Sequence, residues 1–498
     1  MNKLKISFLL LCVLPFLEGC SLDAKNPPIS VPPFIQEEDN QKIFTDYPWT
    51  KKENVGFILY DLDTNKVVKQ HNRNQTFIPA STTKIFTAAA ALKLLGKKHR
   101  FKTILAHDGR LSNGILNGNL YLKGDGDPWL TLDQLSEMML ALKKAGIKKI
   151  NGNFLYDESK FAKKNIIDES MDEDASYNSG LSALSLESNY VWAYWDKGRN
   201  KKPLEVFLVP TLPVNGVKEG IYSKKENIET EFHEQGGKEI WTVSPERSIS
   251  GLKRLPVKNA GLYTAMVFRK LAGIHSIELP LPERGILPFF HEVITVNESK
   301  DLIETVKHLL TFSDNIMTEH LLLNIAAESG IKNADMESAS QYLEKYFIRT
   351  PGNISWKNFH LKNGSGLTSE NKISPEQMLG ALLHGKNLEN DNIYFEQLLP
   401  VSGWSYTMQS RLNDPSSAFR VRAKVGAIYY AMALTGYIQA KSGTHYAFAF
   451  FITDEKLRAA YEKNPNKRQK IHQNAAHFWT AQNKNFMDEI LHGWVENY

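Results

Sequence analysis

Cysteine is nearly absent. The 498 residues hold two, Cys12 and Cys20, which excludes a disulfide-stapled fold and leaves stability to the core. The 14 histidines show no paired metal spacing, and Asp125-Gly126-Asp127 lacks the further oxygen ligands of a calcium loop, so it reads as a plain turn. Net charge is only +5 and the basic residues are scattered. The one Lys/Arg/Asn-rich stretch, near 463–473, reads as a solvated loop, and nothing argues for nucleic acid. No internal repeat is found, and no apolar run is long enough to span a bilayer as a mature helix. What is present, 42% hydrophobic and 23% charged residues over this length, describes a globular chain of two or three domains.

The amino terminus is basic (Met1-Asn2-Lys3-Leu4-Lys5), and Ile6 to Leu17 is a short apolar stretch, together an export signal. It ends Leu17-Glu18-Gly19-Cys20-Ser21, which resembles a bacterial lipobox with Cys20 as the lipidated residue, although Glu18 stands where a small residue is usual. Cys12 would leave with the signal and Cys20 would be blocked, so no disulfide is expected. Residues 21–46 are polar and Pro-containing and read as a flexible tether.

Ser81-Thr82-Thr83-Lys84 carries the chemistry. It follows Pro79-Ala80 and opens an apolar helix through Ala88 to Leu95. A serine and a lysine three apart share one face of a helical turn. A serine hydroxyl needs a base to become a nucleophile, and a lysine can be that base only when burial or neighbouring cations keep it neutral. Other Ser-x-x-Lys matches are weaker by context: Ser250-Lys253 runs into Pro256, and Ser369-Lys372 lies in a polar loop ending at Pro375.

Around this motif, Val55 to Asp61 and Lys66 to Lys69 read as a hairpin. From about Phe101 to Pro288 the texture becomes short alternating strands broken by turns, with one helix from Leu132 to Ala145 stopped by Gly146. The pattern is helical again from Ser299 through Leu323. A second hairpin pairs Ala431–Ile438 with Tyr446–Ile452, and an amphipathic helix with Phe478, Phe486, Ile490, Leu491 and Trp494 closes the chain. The expected class is α+β, an antiparallel sheet assembled from both chain ends and flanked by helices, with a large mainly-β insertion. The expected divisions are 1–20 signal, 21–46 tether, 47–100 and 289–498 as two parts of one domain, and 101–288 as an insertion of two subdomains.

Two more elements complete a constellation. Ser313-Asp314-Asn315 opens an apolar helix, and Lys424-Val425-Gly426-Ala427 precedes the final hairpin. In this order Ser-x-x-Lys, Ser-x-Asn and Lys-x-Gly resemble the three motifs of penicillin-binding proteins and serine β-lactamases. The long stretch between Ser81 and Ser313 is similar to the penicillin-binding protein 4 type of D-Ala-D-Ala carboxypeptidase/endopeptidase, a low-molecular-mass class C penicillin-binding protein. Leu122-Lys123-Gly124-Asp125-Gly126-Asp127-Pro128, Leu181 to Ser185, Asn363 to Thr368 and Leu434-Thr435-Gly436-Tyr437 also match that family. Two decoys are set aside: Ser176-Tyr177-Asn178 in an acidic loop, and Lys441-Ser442-Gly443 in a hairpin turn.

The resemblance implies that Ser81 attacks the terminal D-Ala-D-Ala peptide bond, with Lys84 as base. Ser313 and Lys424 would pass a proton to the leaving amine, and Asn315 would hold Lys84 and the substrate amide. Gly426 and Ala427 would bind substrate, the oxyanion resting between the Ser81 and Ala427 N–H groups. The clustered cations would lower one another's pKa values. No metal or organic cofactor is implied. The implied partners are peptidoglycan stems ending in D-Ala-D-Ala, β-lactams as covalent inhibitors, and a membrane through the Cys20 lipid. The implied place is the bacterial periplasm, with Ser21 after Cys20 favouring the outer membrane. Two departures stand out: Val425 replaces a Thr or Ser whose hydroxyl binds the substrate carboxylate, and Asn363 replaces an Asp. An active enzyme is the expectation. A catalytically impaired peptidoglycan- or partner-binding lipoprotein and a serine β-lactamase are the alternatives.

Overall fold

The computed structural model describes Phe44 and residues 47–196, 205–209, 215–219, 229–235, 238–244, 250–386, 388 and 394–498. The signal segment, Cys20 and nearly all of the tether lie outside the described residues. Among these residues no helix is long and apolar enough to cross a membrane.

A five-stranded antiparallel sheet joins the two ends of the chain. Its order is Val421–Ile428, Ala431–Gln439, His445–Thr453, Val55–Asp61, Lys66–His71. The three inner strands read as near-continuous apolar runs because both faces are covered. On one face Ala433, Ala447, Ala449 and Phe451 share a core with the helices Lys84–Leu94 and Pro375–Lys386, and the second of these lies against the strands His445–Thr453 and Val55–Asp61. The helix Lys84–Leu94 carries no polar face over Lys84–Ala91 because all of those residues are buried. On the other face Phe57, Phe448 and Phe450 pack against Phe486, Leu491 and Trp494 of the helix Lys470–Asn497. Each such ring contributes about 1.5–3 kcal/mol by burial.

The inserted region has its own mixed sheet, in the order Pro282–Arg284, Phe154–Asp157, Leu120–Gly124, Lys102–His107, Glu292–Glu298. Its core includes two helices, Leu132–Lys144 and Ala260–Ile274. The second of these was not read from the sequence, where Gly, Thr and Val among its residues mask a helical period. The strand Glu292–Glu298 also corrects the division at residue 288, since it pairs with Lys102–His107 and extends the inserted sheet to Glu298. The helical pattern read through 299–323 is two helices, Leu302–Phe312 and Asn315–Glu328, broken at Ser313, whose φ is +61°. That break is what frees Ser313 and Asn315 for the site.

Candidate active site

Ser81 sits in a 3₁₀ turn, Ala80–Thr83, that runs straight into the helix Lys84–Leu94. The hydroxyls of Thr82 and Thr83 donate back to the carbonyls of Pro79 (2.7 Å) and Ala80 (2.8 Å). Ala80 is left-handed, φ +45°, a strain of about 1–3 kcal/mol that surrounding packing must hold. Two glycines do the holding. Gly366, φ +78°, abuts the Ala80 carbonyl so closely that no side chain fits. A Cβ on Gly426 would lie 2.6 Å from Pro79 O and 3.1 Å from Ser81 N.

Lys84 is fully buried. Its Nζ lies 3.0 Å from Ser81 Oγ, 2.7 Å from Asn315 Oδ1 and 2.8 Å from the Ser365 carbonyl. Burial pushes its pKa down to about 7, against the upward pull of the Glu319 and Asp314 carboxylates. The expectation that clustered cations lower one another is corrected for Lys84, where burial does it against two anions, while the repulsion of the lysine pair lowers Lys424. Lys424, also fully buried, donates to Ser313 Oγ at 2.9 Å and to the Val425 carbonyl at 2.6 Å. Burial, and then the Lys84 charge, hold its pKa well below the ordinary lysine range. Asn315 also donates from Nδ2 to the Tyr177 carbonyl at 3.1 Å, so one of its amide hydrogens is taken by the protein rather than by substrate.

The strand Val421–Ile428 is a sheet edge. Ala423 N–H donates outward to Pro400 O at 2.9 Å, and backbone groups along a strand alternate with period two. The N–H groups of Val425 and Ala427 therefore point the same way, off the sheet. Ala427 lines, with Ser81, Ser313, Asn315 and Tyr177, a cleft of about 450 Å³. Val425 packs on the core shared with the carboxy-terminal helix, on the sheet face opposite Lys424. Arg422 shares the Lys424 face by alternation but is not among the residues lining the cleft.

The sequence model of the D-Ala-D-Ala carboxypeptidase 3 (S13) family matches residues 36–231 and 285–477. The chain belongs to the S13 family. D-alanyl-D-alanine carboxypeptidase DacB of Haemophilus influenzae is 28% identical over 422 residues, 80% of this chain and 85% of that protein. A D-alanyl-D-alanine carboxypeptidase of Actinomadura is 25% identical over 422 residues, 78% of this chain and 76% of its own length. Penicillin-binding protein 4 of H. influenzae, complexed with a β-lactam, superposes with a TM-score of 0.75 at 22% identity, covering 92% of this chain and 100% of that one. At that identity the likeness establishes the penicillin-binding, α+β fold.

Within this S13 fold the altered loop is well accommodated. Asn363 Oδ1 accepts from Gly366 N at 2.9 Å, the turn contact a carboxylate would make, and its Nδ2 adds a bond to Leu367 O at 3.2 Å. Lys441 is a surface residue 2.9 Å from Glu496, and Lys253 lies on a strand 2.7 Å from Asp174. Asn178 is buried and holds the loop at Asp168, while Tyr177 of the same decoy reaches the site through its carbonyl. Sequence reasoning missed Glu319 and Ser365. The signal available was a lone carboxylate four residues after Asn315, in a helix whose residues 315–326 are all buried.

Proposed function

We propose that this S13 enzyme is a serine-type D-Ala-D-Ala carboxypeptidase working through an acyl-enzyme on Ser81. The observation that carries the reading is the donor count at Lys84. A neutral amine has two N–H groups and one lone pair. Asn315 Oδ1 and the Ser365 carbonyl can only accept, so they take both N–H groups. The lone pair is left facing Ser81 Oγ, 3.0 Å away, and the serine proton has one place to go.

In the reaction, Ser81 Oγ bonds to the carbonyl carbon of the penultimate D-Ala while its proton passes to Lys84 Nζ. The oxyanion rests between the N–H groups of Ser81 and Ala427 at the helix start and strand edge. Ser313, held by Lys424, relays to the leaving amine the proton that Lys84 took up, giving its own hydroxyl proton and receiving one in return as the C–N bond breaks, so Lys84 is neutral again. Water then attacks the ester, with Lys84 again as base, and restores Ser81. A β-lactam carbonyl enters the same path, but its leaving amine stays tethered. The cleft suits a peptide, with Asp172, Arg458 and Lys467 along its walls, and peptidoglycan stems ending in D-Ala-D-Ala are the proposed substrates; both carboxypeptidase and endopeptidase cleavage fit this chemistry.

The same reading places the folded body, residues 47–498, in the periplasm on a tether lipidated at Cys20, with the outer membrane favoured by Ser21. The test is intact mass of protein lacking residues 1–20 after incubation with a penicillin. A penicilloyl adduct on the wild type and none on Ser81→Ala supports the reading. A folded wild type without adduct refutes it and favours a binding lipoprotein.

A further inference from the structure

Glu319 is fully buried and has no part in the proton path above. It lies four residues after Asn315 on the helix Asn315–Glu328, hence on the same face. Its Oε2 accepts from Gly364 N at 3.0 Å and its Oε1 from Ser365 N at 2.8 Å. Both oxygens accept backbone N–H groups and the Ser365 hydroxyl bonds to the same carboxyl, a set of donors that suits a carboxylate anion. Burial raises its pKa on balance, and the Ser365 hydroxyl, the two backbone N–H groups and the Lys84 charge oppose that rise.

The two N–H bonds anchor the backbone of Gly364 and Ser365 one peptide ahead of the Ser365 carbonyl beside Lys84, whose own peptide plane is completed by the Gly366 N–H on Asn363 Oδ1. One helix face therefore controls both acceptors that orient the lysine: Asn315 directly, and the Ser365 carbonyl through Glu319. We propose that Glu319 is a positioning residue for Lys84, aiming its lone pair at Ser81 through the Ser365 carbonyl and supplying a buried counter-charge beneath the nucleophile. This rests on the reading of Lys84 as the base. The charges facing Lys84 are Glu319 and Asp314 from the Asn315 helix and its cap, and Lys424 from the edge strand; the 363–367 loop brings none.

The two parts of the role separate in two variants. Glu319→Gln keeps the shape but has one accepting oxygen, so its NH₂ opposes a backbone N–H and the Gly364–Ser365 plane turns. Removal of the anion also takes away a charge that pulls the Lys84 pKa upward. Glu319→Asp keeps the charge and shortens the reach. The second-order rate of penicillin acylation is measured from pH 5 to 10, alongside a urea titration of folding.

For Glu319→Gln the expected result is a plateau 10- to 100-fold lower, with the acid limb moved to lower pH by about one unit or more. For Glu319→Asp the plateau falls but the limb stays at the wild-type pH. A purely structural role predicts rates that follow the folded fraction with an unmoved limb in both variants; that outcome, or wild-type kinetics in folded Glu319→Gln, overturns the proposal. Titration of Lys84 by ¹³Cε NMR in wild type and Glu319→Gln reads the counter-charge without any acylation. If the wild type fails to acylate, the enzyme reading falls, and an unmoved Lys84 midpoint separately overturns the role of Glu319.

Discussion

Gly426→Ala tests the geometry of the site with one methyl group. The added Cβ would lie 2.6 Å from Pro79 O, 3.0 Å from Thr82 N and 3.1 Å from Ser81 N. All three are backbone atoms of the serine turn, and that turn is held behind by Gly366 and by its own threonines. Relief therefore comes from the edge strand backing away by about 0.5–1 Å, enough to take a hydrogen bond of about 2.9 Å out of useful range. The gap that widens is the one between the Ser81 and Ala427 N–H groups. Losing one oxyanion donor costs about two to three decades in rate, while overpacking costs about 1–3 kcal/mol of stability. The assay is acylation by a fluorescent penicillin under conditions where a urea titration shows full folding. Gly443→Ala is the control, since φ is +95° there but nothing lies within 4 Å; it should lose some stability and keep its acylation rate. A Gly426→Ala rate within threefold of wild type would refute the placement of the oxyanion hole.

Two further expectations concern charge and substrate. Because burial brings the Lys84 pKa to about 7, the neutral base is lost as pH falls, so acylation should drop tenfold per unit well below that value. The same depression makes the fold bind fewer protons than the unfolded chain, so Lys84 alone makes stability rise with pH from about 7 towards the ordinary lysine value; a flat acylation profile from pH 5 to 9 would exclude Lys84 as the base. Val425→Thr restores the hydroxyl missing from the Lys-x-Gly motif. Because residue 425 packs on the core away from Lys424, kcat/KM on a D-Ala-D-Ala peptide should stay within threefold of wild type, and a tenfold rise, matching a charge-assisted hydrogen bond of about 1.5–3 kcal/mol, would show that the hydroxyl reaches the substrate carboxylate.

The central sheet and the site were legible because their signals are local. The hairpins at Val55–His71 and Ala431–Thr453 alternate or run apolar between clear turns, and Ser81, Ser313 and Lys424 each sit at the start of an element or on an edge where a side chain is free to act. What escaped has no local signature. Ala260–Ile274 is helical because the inserted sheet gives its apolar residues a surface to cover, not because of its propensities. Ser313 reads as opening a helix, but the left-handed backbone that ends the preceding helix there has no signature in the sequence. Glu319 acts on a loop 45 positions away, and the direction of influence on Lys84 depends on which charges folding brings near. The cations were in the motifs, but the anions that matter were Glu319 and Asp314.

Ser81 and Lys84 are three residues apart, yet the acceptors that orient the lysine lie 231 and 281 positions downstream. The sheet bearing the edge strand closes only when Val55–Asp61 pairs with His445–Thr453. Before that closure Lys84 is a hydrated ammonium of pKa about 10.4 and Ser81 an ordinary alcohol. Reactivity is thus a late event along the folding path, waiting on contacts that span most of the chain. A penicillin present during refolding would mark only molecules that have completed that closure, with the covalent label trailing the recovery of helix signal by the time the two ends take to meet.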